Sequence, residues 1–359
     1  MSDARPSVSV VITCYNYERY VGACVRSVLL QTLQAHEVIV VDDGSTDGSA
    51  TVLADFGDRI TVIAQENSGL VPARNRGFAA CRGGLVLFLD ADDMLHPEAL
   101  EEVVRAWMPG CSKVQFDLEV VDSEGARTGR LICNYVEPYG ARQVREEFRA
   151  FGTYLWPVSS GNAYSRSYLK QLFPLTVSWG PDGVLNTLAP LYGDVVVLHR
   201  VLGYYRLHGA NNSHHGSSSG ALGRRLAKRV EIRSGELRLL AQHAAARGRA
   251  LPPGNVLDRE LPFVNYRIML KRLGEKYEGH AADTPVRLWW AGMTFLFVRP
   301  LPRRLKVAHG VWLTVMLCAP HWLCRLLIPL RFNPGFLHRL SRLLAPIPRG
   351  LSARRASAP

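Results

Sequence analysis

The first hundred residues alternate between short, β-branched apolar segments and segments in which apolar residues recur at helical spacing. The apolar segments, which predict strands, are 7–12, 37–41, 60–64 and 85–89. The segments that predict helices are 20–31, a stretch ending near residue 56, and 70–81. Strands that alternate with helices indicate a mostly parallel, doubly wound α/β sheet flanked by helices. Sheets of this kind bind ligands beyond the carboxyl ends of their strands.

Acidic residues follow two of the predicted strands at the point where each strand ends. The pair DD lies at 42–43, after the second strand, and DADD lies at 90–93, after the fourth. We therefore expect these carboxylates at one edge of the sheet, where they can bind Mg²⁺ or Mn²⁺, cations that commonly bridge to diphosphate oxygens. A single D-x-D is more simply interpreted as an acidic turn, but the second acidic strand end favours the metal.

Two common phosphate-binding motifs are missing from the sequence. No G-x-G-x-x-G follows the first predicted strand, and no G-x-x-x-x-G-K-[ST] occurs anywhere in the chain. In those motifs, backbone N–H groups hold the phosphate. If a phosphate binds this protein, another group must neutralise its charge, and a cation at the acidic strand ends is able to do so.

Charge divides the chain into two parts. Residues 1–221 contain 18 Lys and Arg and 24 Asp and Glu, a net charge of −6. Residues 222–359 contain 25 and 7, a net charge of +18, and from Thr284 onward there are 12 basic residues and no acidic one. An acidic body with a basic tail predicts chemistry in the first part and an anionic partner for the second.

Composition and cysteine spacing indicate a reduced, globular protein. Hydrophobic residues make up 47% of the chain, enough to form a core, which excludes a disordered chain. The seven cysteines form no C-x-x-C pair, which predicts mostly buried thiols of a cytoplasmic protein. The apolar run near the N-terminus, 8–12, is too short for the core of a secretory signal, so we expect no export.

Four motifs in the first hundred residues are similar to those of a known family. They are TCYN at 13–16, VVDDGSTDGS at 40–49, ENSGLVPARNRG at 66–77 and FLDADD at 88–93. In this order and spacing they resemble glycosyltransferase family 2. A looser resemblance continues through SSGNAYSRS at 159–167 and YRLHGANNS at 205–213, whereas residues 222–359 lie outside it. The resemblance implies the GT-A fold and a nucleotide-sugar donor.

The resemblance also implies which residues bind the donor. They are Thr13, Tyr15, Asn16, Asp43, Arg74, Asp90 and Asp92. Tyr15 would pack on the face of the base, and Asp43 would accept a hydrogen bond from a base N–H, which favours uracil or thymine and hence a UDP-sugar. Asp92, together with Asp90 and His208, would hold the divalent cation, Mn²⁺ or Mg²⁺. Without the resemblance, His208 is interpreted as a surface-loop residue.

An inverting sugar transfer needs a base that takes the proton from the acceptor hydroxyl. In the family this base is usually an aspartate well after the D-x-D motif, and Asp182 matches it here, although Pro181 stands where an acidic residue often precedes it. The alternative is that Asp182 caps a helix over 184–191. The Gln-x-x-Arg-Trp motif of processive synthases is absent, which favours an enzyme that adds a single sugar.

The basic tail predicts contact with a membrane surface. Lys306 and Arg325 enclose 18 residues without formal charge, whereas a membrane-spanning helix needs about 20 mostly apolar residues. Tryptophans beside arginines favour binding at the membrane–water interface. A packed helical subdomain and a single span over 307–324 are the alternatives. Nucleic acid is not expected as a partner, because the aromatic residues lie within Leu-, Val- and Met-rich runs.

These patterns predict three regions and one function. The regions are a nucleotide-sugar-binding half of the GT-A domain, 1–105, an acceptor-binding half with a flexible loop over 208–223, 106–221, and a helical, basic, membrane-seeking region, 222–359. We predict an inverting, metal-assisted, non-processive glycosyltransferase of polysaccharide biosynthesis that acts on a lipid-linked or surface-glycan acceptor at the inner face of the cell membrane. The alternatives are a non-catalytic binder of nucleotide-sugar or glycan, and a sugar nucleotidyltransferase, which would need a basic, Gly-rich loop after the first strand.

Overall fold

The computed structural model describes residues 5–135, 138–209, 219–299 and 301–332. The chain forms two compact units. The first consists of residues 1–214 and 231–260, and the second consists of residues 215–230 and 261–359. The first unit is built on a mixed sheet with helices on both faces, and the described part of the second unit is helical.

The described residues form one sheet of nine strands. The strands are β1 (Val8–Cys14), β2 (Glu37–Asp42), β3 (Thr61–Ala64), β4 (Leu85–Asp90), β5 (Met94–Leu95), β6 (Cys111–Val121), β7 (Arg127–Leu131), β8 (Asn162–Ser165) and β9 (Asp194–Arg206). Their order is β3-β2-β1-β4-β8-β6-β9-β5, and β7 pairs with β6. Strands β1 to β4 are parallel, and β8 runs antiparallel between β4 and β6. The predicted α/β sheet is confirmed.

Helices pack on both faces of this sheet and continue beyond it. They are α1 (Val21–Leu29), α2 (Ser49–Ala54), α3 (Leu70–Ala80), α4 (Ala99–Ala106), α5 (Ala141–Phe151), α6 (Arg166–Leu169), α7 (Pro181–Tyr192), α8 (Ser219–Ala246), α9 (Leu261–Leu273), α10 (Pro285–Val298), α11 (Arg303–Cys318) and α12 (His321–Arg331). Strands β1, β2 and β4 are buried along almost their whole length. This explains why they read as continuous apolar runs rather than as alternating ones.

Successive side chains of the central strands enter two different cores. Val10 and Leu87 pack into a cluster with α1 and α4, on one face of the sheet. Val11 and Phe88 pack into a second cluster with α3 and α7, on the other face. The two-residue period of a strand thereby supplies both cores from one apolar segment.

Helix α8 begins earlier than the sequence predicted. Residues 219–223, expected in the loop, belong to its first turns, and residues 210–218 of that loop lie outside the described residues. Leu222, Leu226 and Val230 recur every four residues and are buried, so the helical spacing extends close to the start of α8.

The second unit contains α9 to α12 and the first part of α8. A Cβ atom on Gly292 of α10 would lie 2.5 Å from Cδ1 of Leu313 on α11 and 3.3 Å from Cγ1 of Val264 on α9, so a glycine permits the close contact of three helices. The uncharged segment predicted over 307–324 is divided between α11 and α12, because Ala319 and Pro320 have extended backbone conformations. The residue before a proline is disfavoured in the helical conformation, which accounts for the end of α11 at this point. Within the described ranges, no helix has both the length and the apolarity needed to cross a membrane.

Candidate active site

The strand register brings the sequence motifs to one edge of the sheet. Cys14 at the end of β1 is opposite Asp42 on β2, and Thr13 is opposite Asp90 on β4. The residues that follow these strands therefore emerge side by side. Thr13 remains part of β1, while the Tyr15 side chain is 44% exposed at this edge, as a residue that packs on a ligand must be.

Asn16 joins the loop after β1 to the loop after β2. Its backbone N–H donates to Oγ of Ser45 over 3.0 Å, and its side-chain Oδ1 accepts from the N–H of Thr46 over 2.7 Å. Asn16 has a φ of 58°, a left-handed conformation that asparagine tolerates better than most residues. Two of the predicted motifs are thus linked directly by hydrogen bonds.

Asp43 is buried and fixes the loop that leads into α3. Its carboxylate accepts hydrogen bonds from the side chain of Gln65 (2.6 Å) and from the N–H groups of Ser68 (2.9 Å) and Gly69 (2.8 Å). A carboxylate has about four acceptor positions, so these three bonds leave room for one more. The predicted bond from Asp43 to a donor base stays a prediction.

Arg74 lies at the centre of the site and is 1% exposed. Its guanidinium forms ion pairs with Asp90, at 3.1 Å, and with Asp182, and it donates to Oγ of Ser159. A buried charge is tolerated when it is paired and hydrogen-bonded, and the two carboxylates meet that need. Three residues that lie far apart in the sequence are therefore brought to one point by a single arginine.

A glycine one turn after Arg74 sets the depth of α3. A Cβ atom on Gly77 would lie 2.4 Å from Cγ1 of Val11 on β1, so a larger residue would push the helix away from the sheet. Arg74 and Gly77 both belong to the ARNRG segment of the third motif. The motif thus combines the arginine with the glycine that lets it reach the strand ends.

The carboxyl group of Asp90 is a third exposed and lies among like charges. Its partial burial raises its pKa to about 7. Arg74 opposes this shift, whereas the charges of Asp182 and Asp92 add to it. For Asp93, burial and then the charges of Asp92 and Asp90 raise the pKa well above its usual range. A cation bound at this edge of the sheet would lower both pKa values and favour the charged forms of these carboxylates.

Asp92 and His208 form the second pair of the site. Oδ2 of Asp92 lies 3.0 Å from Nε2 of His208, and both side chains are more than nine-tenths buried. The imidazole packs against the ring of Tyr20, with 4.9 Å between ring centroids, and edge-on against Tyr17. The structure thus brings together two of the three predicted metal ligands and does not place His208 on an exposed loop.

The end of β9 positions His208 beside Asp92. The backbone N–H of Arg206 donates to Oδ1 of Asp93, and Nε of Arg206 donates to the carbonyl oxygen of Asp92, each over 3.0 Å. Arg206 also lies over the ring of Tyr20, 5.0 Å from its centroid. These contacts hold the DADD turn against the segment that contains the histidine.

Several residues of the site were missed by sequence reasoning. They are Tyr17, Tyr20, Asp93, Ser159, Ser160 and Arg206. Ser160 donates to Asp93 and accepts from the N–H of Asp90. For Tyr17, burial and then the neighbouring aspartates raise the pKa. Five of the six lie within or next to the quoted motifs, which was the available signal, whereas Tyr20 lies four residues after TCYN. No spacing rule assigns any of them a role.

Asp182 is the second residue of α7 and its carboxyl group is about a third exposed. The alternative that it caps this helix is wrong. Gly180 is the N-cap, Pro181 is the first helical residue, and the Asp182 carboxylate turns to Arg74. The predicted role of Asp182 as proton acceptor stays a prediction, and the accessible carboxylate that this role requires is present.

No group of three or more His, Cys, Asp or Glu side chains in the described part of the chain is arranged to hold a metal ion. Asp90, predicted as a third ligand, is engaged by Arg74. The converging Asp92 and His208 offer one carboxylate and one imidazole. This donor set fits a Mn²⁺ or Mg²⁺ ion that takes its other ligands from water and a substrate diphosphate.

Comparisons with known proteins agree with this geometry. Residues 9–173 match the sequence profile of the family described as Glycosyl transferase family 2. An uncharacterized glycosyltransferase of Nostoc sp. is 35% identical over 230 residues, which are 62% of this chain and 70% of that protein. This chain therefore belongs to glycosyltransferase family 2 and is a glycosyltransferase, as its motifs predicted.

Other similar proteins have names that include a product. A putative teichuronic acid biosynthesis glycosyltransferase of Bacillus subtilis is 38% identical over 112 residues, 30% of this chain and 44% of that protein. Chondroitin synthase of Escherichia coli is 32% identical over 166 residues, 44% of this chain and 24% of that protein. Among solved structures, S. aureus TarS 1–349 in complex with UDP-GlcNAc has a TM-score of 0.51 at 18% identity, with 86% of this chain and 89% of that chain covered. This similarity confirms the predicted GT-A fold.

Proposed function

We propose that this protein transfers one sugar from a UDP-sugar to a hydroxyl group of a lipid-linked or surface-glycan acceptor, with inversion and with the help of a divalent cation. The observation that carries this proposal is the arrangement around Arg74. One buried guanidinium joins Asp90, at the end of a parallel strand, to Asp182, at the start of α7. Asp92 and His208 lie at the same edge. Donor-side and acceptor-side groups are therefore adjacent.

In the proposed reaction, Asp182 acts as the general base. Its carboxylate accepts the proton of the acceptor hydroxyl while the oxygen attacks the anomeric carbon of the donor. The bond from oxygen to the anomeric carbon forms, the bond from that carbon to the diphosphate oxygen breaks, and its electron pair leaves with UDP. Attack from the face opposite the leaving group inverts the configuration. Loss of such a base typically lowers a rate by about 10²- to 10⁴-fold.

The leaving diphosphate carries negative charge that must be neutralised. A Mn²⁺ or Mg²⁺ ion bound by Asp92 and His208 would supply this neutralisation when present. Asp93, Ser160 and Arg206 hold the turn and the strand end that carry these two ligands. Arg74 keeps Asp90 and Asp182 at fixed positions near them.

Two observations support a UDP-sugar as donor. Asp43, predicted to bond a base N–H, lies at the site with one acceptor position left, and the exposed Tyr15 is adjacent along the same edge. TarS of S. aureus, which shares the fold, has been crystallised with UDP-GlcNAc and with UDP. We therefore propose UDP as the nucleotide, and UDP-GlcNAc is the first donor to test.

The proposed acceptor is a polymer of the cell envelope. Relatives of this chain include a putative teichuronic acid biosynthesis enzyme and a chondroitin synthase, which make polymeric glycans. The second unit offers a surface suited to a membrane. Trp290, Phe297 and Trp322 are 61%, 87% and 65% exposed, in a region without acidic residues after Asp283. Exposed aromatic groups beside basic residues bind lipid interfaces, so we propose peripheral attachment to an anionic membrane.

Donor binding and turnover test this function separately. A thermal-shift panel of UDP-, GDP- and dTDP-sugars with Mn²⁺ identifies the donor, because a bound ligand raises the melting temperature. UDP release is then measured for the protein and for Asp182→Asn, for which we expect kcat lower by about 10²- to 10⁴-fold and donor affinity little changed. Asp194→Asn, an equally accessible aspartate paired with Arg145, is the matched control. Donor binding without any turnover would indicate a non-catalytic binder.

A further inference from the structure

The turn that carries Asp182 rests on one face of α8. The indole of Trp179, just before α7, lies against Gly235, where a Cβ atom would be 2.7 Å from Cζ2 of the indole. Gly183 lies against Glu236, and a Cβ atom on Gly183 would be 1.7 Å from its Oε1 and 2.2 Å from its Cδ. No side chain fits at Gly183 while Glu236 keeps its position.

Glu236 is held in place by a buried ionic network. Arg233 donates to Oε2 of Glu236 over 2.6 Å, and its other nitrogens donate to both carboxylate oxygens of Glu260, over 2.9 and 2.6 Å. The same guanidinium donates to Oγ1 of Thr187 on α7. Arg233, Glu236 and Glu260 are each about nine-tenths or more buried. The network therefore connects α8 to the helix of Asp182 at two points, Gly183 and Thr187.

This network buries charged groups at a place where apolar side chains could be buried at a lower cost in free energy. Burying three charges carries a desolvation cost that apolar residues of similar volume would avoid, and buried ion pairs are weak evidence for stability. What a bidentate arginine pair does provide is a fixed direction. Here the group that is fixed is the first turn of α7, and that turn, together with the ion pair to Arg74, determines where the Asp182 carboxylate points.

We propose that Arg233 and Glu236 are positioning residues for Asp182. They act through Gly183 and Thr187, and they make α8 part of the catalytic apparatus, although it lies beyond the residues that match the family profile. The proposal rests on the proposed role of Asp182 as the base. A displacement of a reacting group by about 1 Å can lower a rate by about 10²-fold, so the direction of this turn matters for turnover.

The first test is a substitution that forces the turn away from α8. Gly183→Ala adds a methyl group that collides with Glu236, and we expect kcat for UDP release to fall by about 10²-fold while the donor KM changes by less than about twofold. Gly180→Ala is the matched control. This glycine belongs to the same turn, has a φ of −51°, and a Cβ atom there meets no heavy atom within 4 Å. We expect its kcat and melting temperature to stay near those of the unchanged protein.

The second test is a rescue. Glu236→Ala opens the space that the alanine at 183 needs, so the double variant should turn over at least about tenfold faster than Gly183→Ala alone. Alone, Glu236→Ala should lower kcat about tenfold, and Glu236→Gln, which keeps the shape and a bond to Arg233, should recover most of that loss. Melting temperatures are measured throughout, and kcat is read well below the lowest of them. A destabilised variant is thereby told apart from a mispositioned one.

Two outcomes would overturn the proposal. One is a Gly183→Ala enzyme with unchanged kcat, and the other is a double variant no faster than Gly183→Ala. A failure of the proposed base has a different signature, because Asp182→Asn would then keep full activity. If Asp182→Asn is inactive while Gly183→Ala is fully active, Asp182 remains the base and the positioning role alone is wrong.

Discussion

The acidic sheet edge of the first unit and helices α10 to α12 of the second depart from ordinary globular packing in opposite ways. At the edge, charged side chains are buried, and Arg74 and Asp93 are almost inaccessible to water. In α10 to α12, large apolar side chains are exposed instead, with Phe297 the most exposed among them. Buried charge and clustered exposed apolar surface are the informative exceptions in a folded protein.

The two regions differ in whether these unusual side chains have partners. Each buried charge at the edge has partners from other elements of the same unit, as Arg74 has in Asp90 and Asp182. The exposed apolar groups of α10 to α12 have no comparable cover among the described residues. They are Val286, Trp290, Phe297, Val298, Leu305, Val307, Val311, Trp322, Leu326 and Leu330. This difference supports the proposals of a small charged ligand for the first region and of a membrane surface for the second.

The largest effect is expected where the buried charges meet the ligand. Asp92→Asn removes one of two proposed cation ligands, and we expect kcat for UDP release to fall by about 10³-fold, since a metal contributes several kcal/mol to transition-state stabilisation. EDTA should abolish turnover and Mn²⁺ should restore it. Asp58→Asn, on the surface near β3, is the control. Full turnover in EDTA would contradict the metal assignment.

The next largest effect is expected on the free energy of unfolding, when the buried arginine of the edge is replaced. Arg74→Met keeps most of the volume but leaves Asp90 and Asp182 without their shared cation, and we expect the free energy of unfolding to drop by about 2–4 kcal/mol. The two carboxylates are each about a third exposed, so water screens part of this cost. Urea denaturation followed by circular dichroism measures the change. An unchanged midpoint would mean that the arginine is not required to balance these charges.

A smaller effect is expected for the exposed apolar surface. Replacing Trp290 and Phe297 by serine should weaken binding to anionic lipid vesicles about tenfold without lowering the melting temperature, since both side chains are largely exposed. Binding should weaken further, but not vanish, at high salt, because salt screens only the basic residues. Leu30→Ser removes an equally exposed leucine from the first unit and should leave binding unchanged. If the full chain does not bind anionic vesicles at low salt, the membrane proposal is wrong.

The smallest effect is expected for Arg105, an exposed arginine that serves as the comparison for the buried Arg74. Arg105 on α4 also pairs with two carboxylates, those of Glu101 and Glu102, but its side chain is 58% exposed. Arg105→Gln should therefore change the free energy of unfolding by less than about 0.5 kcal/mol. The same urea titration measures both arginines. A loss as large as that of Arg74→Met would show that burial is not what distinguishes the two.

The sequence predicted the sheet edge well because the relevant information is local. A strand buried on both faces reads as an apolar run, and the polar residues that end it follow immediately, as at Asp42 and Asp90. Parallel pairing then places those ends together without further information. The boundaries of β1 to β4 accordingly differ from the predicted ones by at most two residues.

The contacts across the site could not be predicted in the same way. Arg74 meets Asp182 across 108 residues and Asp92 meets His208 across 116, and no periodicity connects such positions. The family resemblance identified each of these residues separately, and the structure shows which of them form pairs. The role proposed for α8 could not be predicted from the motifs or from the resemblance, because Arg233 and Glu236 match no motif and their spacing is that of an ordinary helical face.

Because α8 belongs to both units, it limits where the gene for this enzyme can be divided. Its residues 219–230 belong to the second unit and its residues 231–246 to the first, which also needs the chain as far as Glu260. The first unit is therefore discontinuous in the gene. A recombination or a stop codon that removed everything after residue 220 would delete Arg233, Glu236 and Glu260 along with the basic tail. The region proposed to bind a membrane therefore cannot be exchanged at that point without also replacing residues 231–260 of the first unit.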